Sequence, residues 1–209
     1  VLASANAADR MEPASLTKLM TAYVVFSALR ERRITLEQTV TVSERATKAG
    51  GARMFLQTGL AVTVNDLVQG MIVQSSNDAC VALAEAVAGS EEAFVEAMNR
   101  EAKRLGMSAS RFANASGLPA SQHYSTAQDL ARLTAALIRD YPEYYRFYSQ
   151  KEFRYNNVTQ PNRNRLLWLD PNVDGVKTGH TEAAGYCLIA SAKRDKRRML
   201  SAVLGASGE

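Results

Sequence analysis

Apolar residues recur along this chain in two rhythms. Over residues 16–29, Leu, Met, Tyr, Val and Phe fall on almost every face of a helix, the pattern of a helix buried all round, and Pro13 suits its first turn, where a missing N–H is no loss. Thr63-Val64-Asn65-Asp66 has the form of a cap ahead of a helix over residues 67–73, and residues 79–88 make a second apolar helix closed by Gly89. Ser90-Glu91-Glu92 opens another helix that ends at Gly106, and Ser125-Thr126-Ala127-Gln128 is a capping box for one more, ending near Asp140. Residues 15–148 therefore read as mostly helical, with surface connections at 35–48 and a loop at Gly50-Gly51. The period then drops to two. Residues 152–158 alternate as a strand should, and 175–178, 185–192 and 199–204 are short β-type segments joined by polar turns. Residues 1–7 alternate weakly, as a strand edge. These periods predict an α+β fold, sandwich-like: an antiparallel sheet built from the N-terminal strand and the C-terminal strands, flanked by helices, with an all-helical lobe. A single catalytic domain over 1–209 is expected, with the helical lobe at 30–148 and the sheet lobe at 1–29 plus 149–209.

Composition narrows the classes. With 209 residues and 46% apolar content the chain has enough material for a proper core. The formal charge of +4 is spread along it, and the one tight cluster, Lys193-Arg194-Asp195-Lys196-Arg197-Arg198, is interrupted by an acid and lacks interleaved aromatics. It reads as a solvated hairpin turn, so no nucleic-acid partner is expected. Cys80 and Cys187 sit in apolar surroundings and are expected as packed thiols, with pairing left open. Neither they nor His123 and His180 fall at metal-ligand spacing, so no metal or other cofactor is expected. The longest apolar run falls well short of the roughly 18 residues of a membrane span.

Three motifs carry chemistry. Ser15-Leu16-Thr17-Lys18 puts a hydroxyl and an amine one turn apart at the mouth of the first helix. A serine hydroxyl needs a base to take its proton, and a lysine serves only if burial or another cation lowers its pKa. The same four residues also fit an ordinary helix start with a solvated lysine. Ser75-Ser76-Asn77 lies between two apolar helices, where Ser75 or Asn77 would cap the following helix, or Ser75 would relay a proton to a leaving group while the Asn77 amide orients Lys18 and substrate. Lys177-Thr178-Gly179 reads either as a tight turn or as a strand presenting Lys177 and Thr178, with Gly179 letting substrate lie against the backbone.

Their order decides among these readings. Ser-x-x-Lys, then Ser-x-Asn, then Lys-Thr-Gly resembles the active-serine arrangement of penicillin-binding proteins and β-lactamases, a triple whose close relative is a known catalytic signature. The likeness is closer to the low-molecular-mass penicillin-binding proteins that act as D-alanyl-D-alanine carboxypeptidases. Pro-Ala-Ser-Leu-Thr-Lys at 13–18, Gln-Ser-Ser-Asn-Asp-Ala-Cys at 74–80, Asn-Arg-Asn-Arg-Leu-Leu-Trp at 162–168 and Val-Asp-Gly-Val-Lys-Thr-Gly-His-Thr at 173–181 each look like that family's version of the segment.

The resemblance implies a β-lactamase/transpeptidase-like fold and a site in which Ser15 forms the acyl-enzyme and Lys18 accepts its proton. Ser75 and Asn77 complete the proton path, and Lys177, Thr178 and Gly179 bind the terminal carboxylate side of the substrate. His180 follows on the same strand, the backbone N–H groups of Ser15 and His180 form an oxyanion hole, and Arg163 is a further candidate for carboxylate recognition. The implied partners are a peptidoglycan stem peptide ending in D-Ala-D-Ala and β-lactam antibiotics as covalent inhibitors. The implied location is the periplasm or the outer face of the bacterial cytoplasmic membrane. Family members usually carry a C-terminal β-domain ending in an amphipathic anchor, and nothing of that kind follows Glu209, so membrane contact is expected only through segments outside this chain.

Two alternatives stand beside this reading. A β-lactamase must deacylate quickly, and class A enzymes use a loop Glu for it; the corresponding residues here are Arg111-Phe112-Ala113-Asn114, with Glu96 and Glu101 inside a helix instead. A non-catalytic cell-wall binding module of the same fold need not retain Ser15, Lys18, Ser75, Asn77, Lys177 and Thr178 together, and all six are present. No Gly-x-Ser-x-Gly elbow supports an ordinary α/β-hydrolase.

Overall fold

The structure, a computed structural model, describes residues 1–207. A 3-10 turn, Ala14–Thr17, leads into α1 (Lys18–Arg30), the apolar helix foreseen from its sequence. Leu19, Met20, Val25, Phe26 and Ala28 are fully enclosed there, and α1 packs against three later helices, α4 (Asn77–Ala88), α5 (Glu91–Arg104) and α6 (Ala127–Asp140). Each of the four larger side chains, withdrawn from water, contributes about 1.5–3 kcal/mol, which makes α1 the spine of the helical part.

The caps are where polar residues were expected to put them, with one shift. Thr63 accepts from the Asp66 amide ahead of α3 (Val64–Gln69), and Ser90 accepts from the Ala93 amide ahead of α5. The α6 cap is Thr126, accepting from the Asp129 amide, rather than Ser125. Ser125 is already engaged: its backbone bridges to Met11 and its hydroxyl meets that of Ser110 at 2.7 Å.

The stretch 35–48 is more regular than a surface connection. It holds β1 (Thr39–Thr41), which pairs antiparallel with β2 (Ala61–Thr63), and the single turn α2 (Glu44–Thr47), capped by Ser43. These segments are too short for periodicity to reveal them. After α6 come α7 (Pro142–Tyr145) and a hairpin, β3 (Glu152–Tyr155) with β4 (Val158–Pro161). The expected single strand over 152–158 is in fact this hairpin, because Asn156 and Asn157 both take φ > 0 (46° and 62°), a conformation asparagine tolerates, and so reverse the chain.

The main sheet has three strands in the order β5 (Val173–Thr181), β6 (Gly185–Arg194), β7 (Arg197–Ala206), all antiparallel, preceded by the short helix α8 (Leu166–Leu169). The expected N-terminal strand is not formed: within the described residues the sheet is built from C-terminal strands alone. Residues 1–5 are exposed, so the weak alternation buries no face, and the segment reverses in a turn at Asn6 (φ 51°), whose carbonyl accepts from the Asp9 amide. Met11 then makes one bridge to Ser125. Helix α6 packs on β7, and β5 lies against the turn Ala14–Thr17, bringing the strand that carries Lys177 beside Ser15.

Candidate active site

Ser15 opens to the surface from a turn whose preceding residue, Ala14, holds a strained φ of 46°, and Lys18 begins the α-helix three residues on. The Lys18 side chain is 1% exposed, and its Nζ lies 3.0 Å from Ser15 Oγ, 2.7 Å from Asn77 Oδ1 and 2.6 Å from the Ser116 carbonyl. An ammonium would donate to all three. A neutral amine donates to two and turns its lone pair to the third, and only Ser15 of these partners has a proton to give. Burial holds the Lys18 pKa below the usual lysine range, the Arg163 cation lowers it further, and Cys80 and Asp78 partly oppose.

Asn77 is not a cap. Its Nδ2 donates to the Gly50 carbonyl at 2.7 Å while Oδ1 faces Lys18, so the carboxamide joins the lysine to the loop before residue 52. The N-cap of α4 is Ser76, whose hydroxyl makes no cap bond and has no hydrogen-bond partner among the described residues. Ser75 sits at φ 65° after a π turn, Gly70–Gln74, that ends the preceding helix. Its hydroxyl accepts from Lys177 Nζ at 3.0 Å. Lys177 is buried, donates also to the Thr178 carbonyl at 3.0 Å, and has its pKa pushed well below the ordinary value by burial first, then by Lys18 and Arg163.

Two hydrogen-bonded groups result, Ser15, Lys18 and Asn77 in one and Ser75 with Lys177 in the other, and the field of Lys18 reaches Lys177. Thr178 is half-buried beside Lys177. Gly179 is buried, and a Cβ there would stand 3.1 Å from the Ser15 amide nitrogen and 3.3 Å from that of Leu16, so the strand passes tightly against the Ser15 turn. His180 is exposed and tilts against Tyr186, ring centroids 4.3 Å apart, with no side-chain hydrogen bond to the other site residues. Arg163 is exposed on a loop fixed by its neighbours: Asn162 Nδ2 donates to the Gln150 carbonyl, and Asn164 Oδ1 accepts from the Leu166 amide. It touches none of the others directly and acts on both lysines through its field.

Several contributors went unnoticed in the sequence. The Ser116 carbonyl, the third partner of Lys18, lies in the irregular segment between α5 and α6. Asn114 shapes it, Oδ1 accepting from Ser116 N at 3.2 Å and Gly117 N at 2.7 Å; this asparagine turn was the one local signal available. Asp78 is also structural support: fully buried, it accepts from the amides of Met54, Leu56 and Ala79 and so pins the loop that Asn77 reaches. Cys80 and Cys187 are separate buried thiols. Among the described residues no helix is long and apolar enough to cross a membrane.

Known proteins resemble this chain in sequence and in fold. The D-alanyl-D-alanine carboxypeptidase family, Peptidase_S11, matches residues 1–208. D-alanyl-D-alanine carboxypeptidase DacC of Escherichia coli K12 is 50% identical over 99% of this chain and 53% of its own length. Penicillin binding protein 6B from Escherichia coli superposes with a TM-score of 0.94 at 47% identity, over 99% of this chain and 68% of that one. Penicillin-Binding Protein D2 from Listeria monocytogenes in its ampicillin-bound form superposes with a TM-score of 0.87 at 33% identity, over 97% and 83%. The chain spans about half the length of the curated relatives it matches. With the mixed helix and antiparallel sheet of these penicillin-binding proteins, and the family's pattern along almost its whole length, the chain belongs to the D-alanyl-D-alanine carboxypeptidase family.

Proposed function

We propose that the chain is a serine-type D-Ala-D-Ala carboxypeptidase that removes the terminal D-Ala of peptidoglycan stem pentapeptides through an acyl-enzyme on Ser15. The observation that carries this reading is the convergence of Ser15, Lys18 and Asn77 in one hydrogen-bonded set, with Ser75 and Lys177 in a second, from segments far apart in the chain. Neutral Lys18 takes the Ser15 proton as Oγ attacks the carbonyl joining the two D-Ala residues. The oxyanion that forms is stabilised by the backbone N–H groups of Ser15 and His180, which β5 holds beside the turn. As the C–N bond breaks, the Lys177–Ser75 pair delivers a proton to the departing amine, and Lys177, Thr178 and Arg163 hold the terminal carboxylate, with Gly179 leaving room for it. Water then attacks the ester carbon and gives a proton to the Lys177–Ser75 pair, replacing the one lost to the amine, while the Ser15 Oγ–C bond breaks and Lys18 returns to the serine the proton it took.

In this reading residues 1–209 act as one catalytic unit, its cleft between the helical part and the three-stranded sheet, and the protein works on the cell wall outside the cytoplasmic membrane. β-Lactams enter as carboxylate-bearing acylating agents of Ser15. A slow release of that adduct is favoured over β-lactamase turnover because, among the described residues, no carboxylate hydrogen-bonds to Ser15 or Lys18. The test is incubation with a peptide ending in D-Ala-D-Ala and, separately, with labelled penicillin. Wild type should release D-Ala and retain label for many turnovers' time, and Ser15→Ala should do neither. Equal D-Ala release by Ser15→Ala, or fast penicillin turnover without adduct, overturns the proposal.

A further inference from the structure

His123 has no part in the steps above, yet both nitrogens of its buried ring are engaged. Nε2 lies 2.8 Å from Thr17 Oγ1, and Nδ1 accepts from the Ala113 amide at 3.3 Å. A backbone N–H only donates, so Nδ1 carries the lone pair and the proton of the neutral ring sits on Nε2, where it is given to the threonine hydroxyl. Phe112 meets the ring edge-on at 5.8 Å, and the His123 amide is tied to the Ala120 carbonyl.

The two partners belong to the two pieces that meet at Lys18. Thr17 lies between Ser15 and Lys18 in the nucleophile's turn. Ala113 lies in the loop whose Ser116 carbonyl accepts from Lys18 Nζ. That loop also takes a bond from α1 through Thr21, whose hydroxyl donates to the Ala115 carbonyl at 2.6 Å, and Gly117 passes so near the Ala14 carbonyl that a Cβ could not fit.

We propose that His123 is a positioning residue for the Ser15–Lys18 pair: its neutral Nε2–H tautomer clamps the nucleophile's turn to the 113–117 loop and thereby holds the Ser116 carbonyl within reach of the Lys18 amine. The proposal rests on Lys18 being the base. A proton on Nδ1 would face the Ala113 N–H, donor against donor, and burial alone holds the ring's pKa down to about 4. The charged groups around the clamp are Lys18 on the turn, Glu91 of α5, which accepts from the Ala115 amide, and Arg10, stacked on the neighbouring Tyr124; none bonds the imidazole. The ring therefore stays neutral wherever Lys18 can work.

Stopped-flow acylation by a fluorescent penicillin, on wild type, His123→Phe and His123→Gln, tests this together with ¹⁵N spectra of the imidazole. Losing one to two hydrogen bonds of about 1 kcal/mol each should slow the acylation step of His123→Phe by about tenfold, leaving non-covalent affinity in place. Gln, which both donates and accepts, should restore most of the rate. The wild-type spectrum should show a protonated Nε2 and a bare Nδ1 down to about pH 5, one unit above where the ring titrates. Wild-type acylation by His123→Phe, or an Nδ1–H tautomer, overturns the clamp. If the Phe variant does not fold, His123→Gln and the spectrum decide. If wild type takes no penicillin at all, it is the functional reading that fails, while the tautomer still tests the contact.

Discussion

At the scale of single residues the candidate site is governed by how weakly two buried amines hold their protons. Lys18 and Lys177 are both buried, so each loses much of the hydration that normally holds its proton, and Arg163 adds a repelling cation to both. Arg163 itself is exposed, so its influence is partly screened. Removing it should have two separable effects. The lysines would hold their protons more firmly, so in Arg163→Ala the acid limb of the acylation profile should move to higher pH, because a base with a raised pKa becomes neutral only at higher pH. Recognition of the peptide's terminal carboxylate should also weaken by roughly 1 kcal/mol, about fivefold in kcat/KM. A pH profile of acylation measured beside kcat/KM for the peptide checks both, and an unmoved acid limb would separate Arg163 from the lysines.

At the scale of elements, the proposed acylation makes a demand on how closely β5 passes the turn Ala14–Thr17. The strand is anchored at its start by Asp174, which accepts from Tyr145 Oη at 3.0 Å and from Arg198 Nη1 at 2.7 Å beside an irregularity in the β5–β6 register. At Gly179 the strand meets backbone atoms, which do not step aside as a flexible side chain would. Gly179→Ala should therefore fold, with a modest loss of stability of about 1 kcal/mol, while displacing β5 from the Ser15 amide by a few tenths of an ångström. If that amide serves the oxyanion, acylation should slow by about tenfold or more. Thermal unfolding and acylation kinetics on the same variant distinguish this from simple destabilisation; an unimpaired rate would mean the close contact has no role in the chemistry.

At the scale of the whole molecule the formal charge is +4, and Arg163, the guanidinium whose field reaches both buried lysines, is open to solvent. In the proposed function an anionic C-terminus should be drawn to that guanidinium, and Arg163 should lose influence as salt shortens the range of its field. For a peptide ending in D-Ala-D-Ala, kcat/KM should fall by about threefold between low salt and 0.5 M, with kcat little changed, because the buried lysines are shielded from ions. Steady-state kinetics across ionic strength measure this directly, and a salt-independent kcat/KM would argue against long-range steering.

Periodicity and caps were enough to foresee α1, α3 to α6 and the three long strands, since each depends on local spacing and on whether one face or every face is apolar. The six site residues of the three motifs were legible because their types and order are distinctive, and the geometry brings Ser15, Lys18, Ser75, Asn77 and Lys177 into hydrogen-bonded groups. What the sequence left undecided were features made by meetings between distant segments. A backbone carbonyl such as that of Ser116 has no residue signature, since every residue carries one. The choice of Asn77 between capping a helix and holding a lysine turns on which distant side chain reaches its carboxamide, and the tautomer of His123 on which amide approaches it. The strand expected over residues 1–7 failed for the same reason: alternation proposes a strand, but only a buried face and a partner edge make one, and those are properties of the assembled fold.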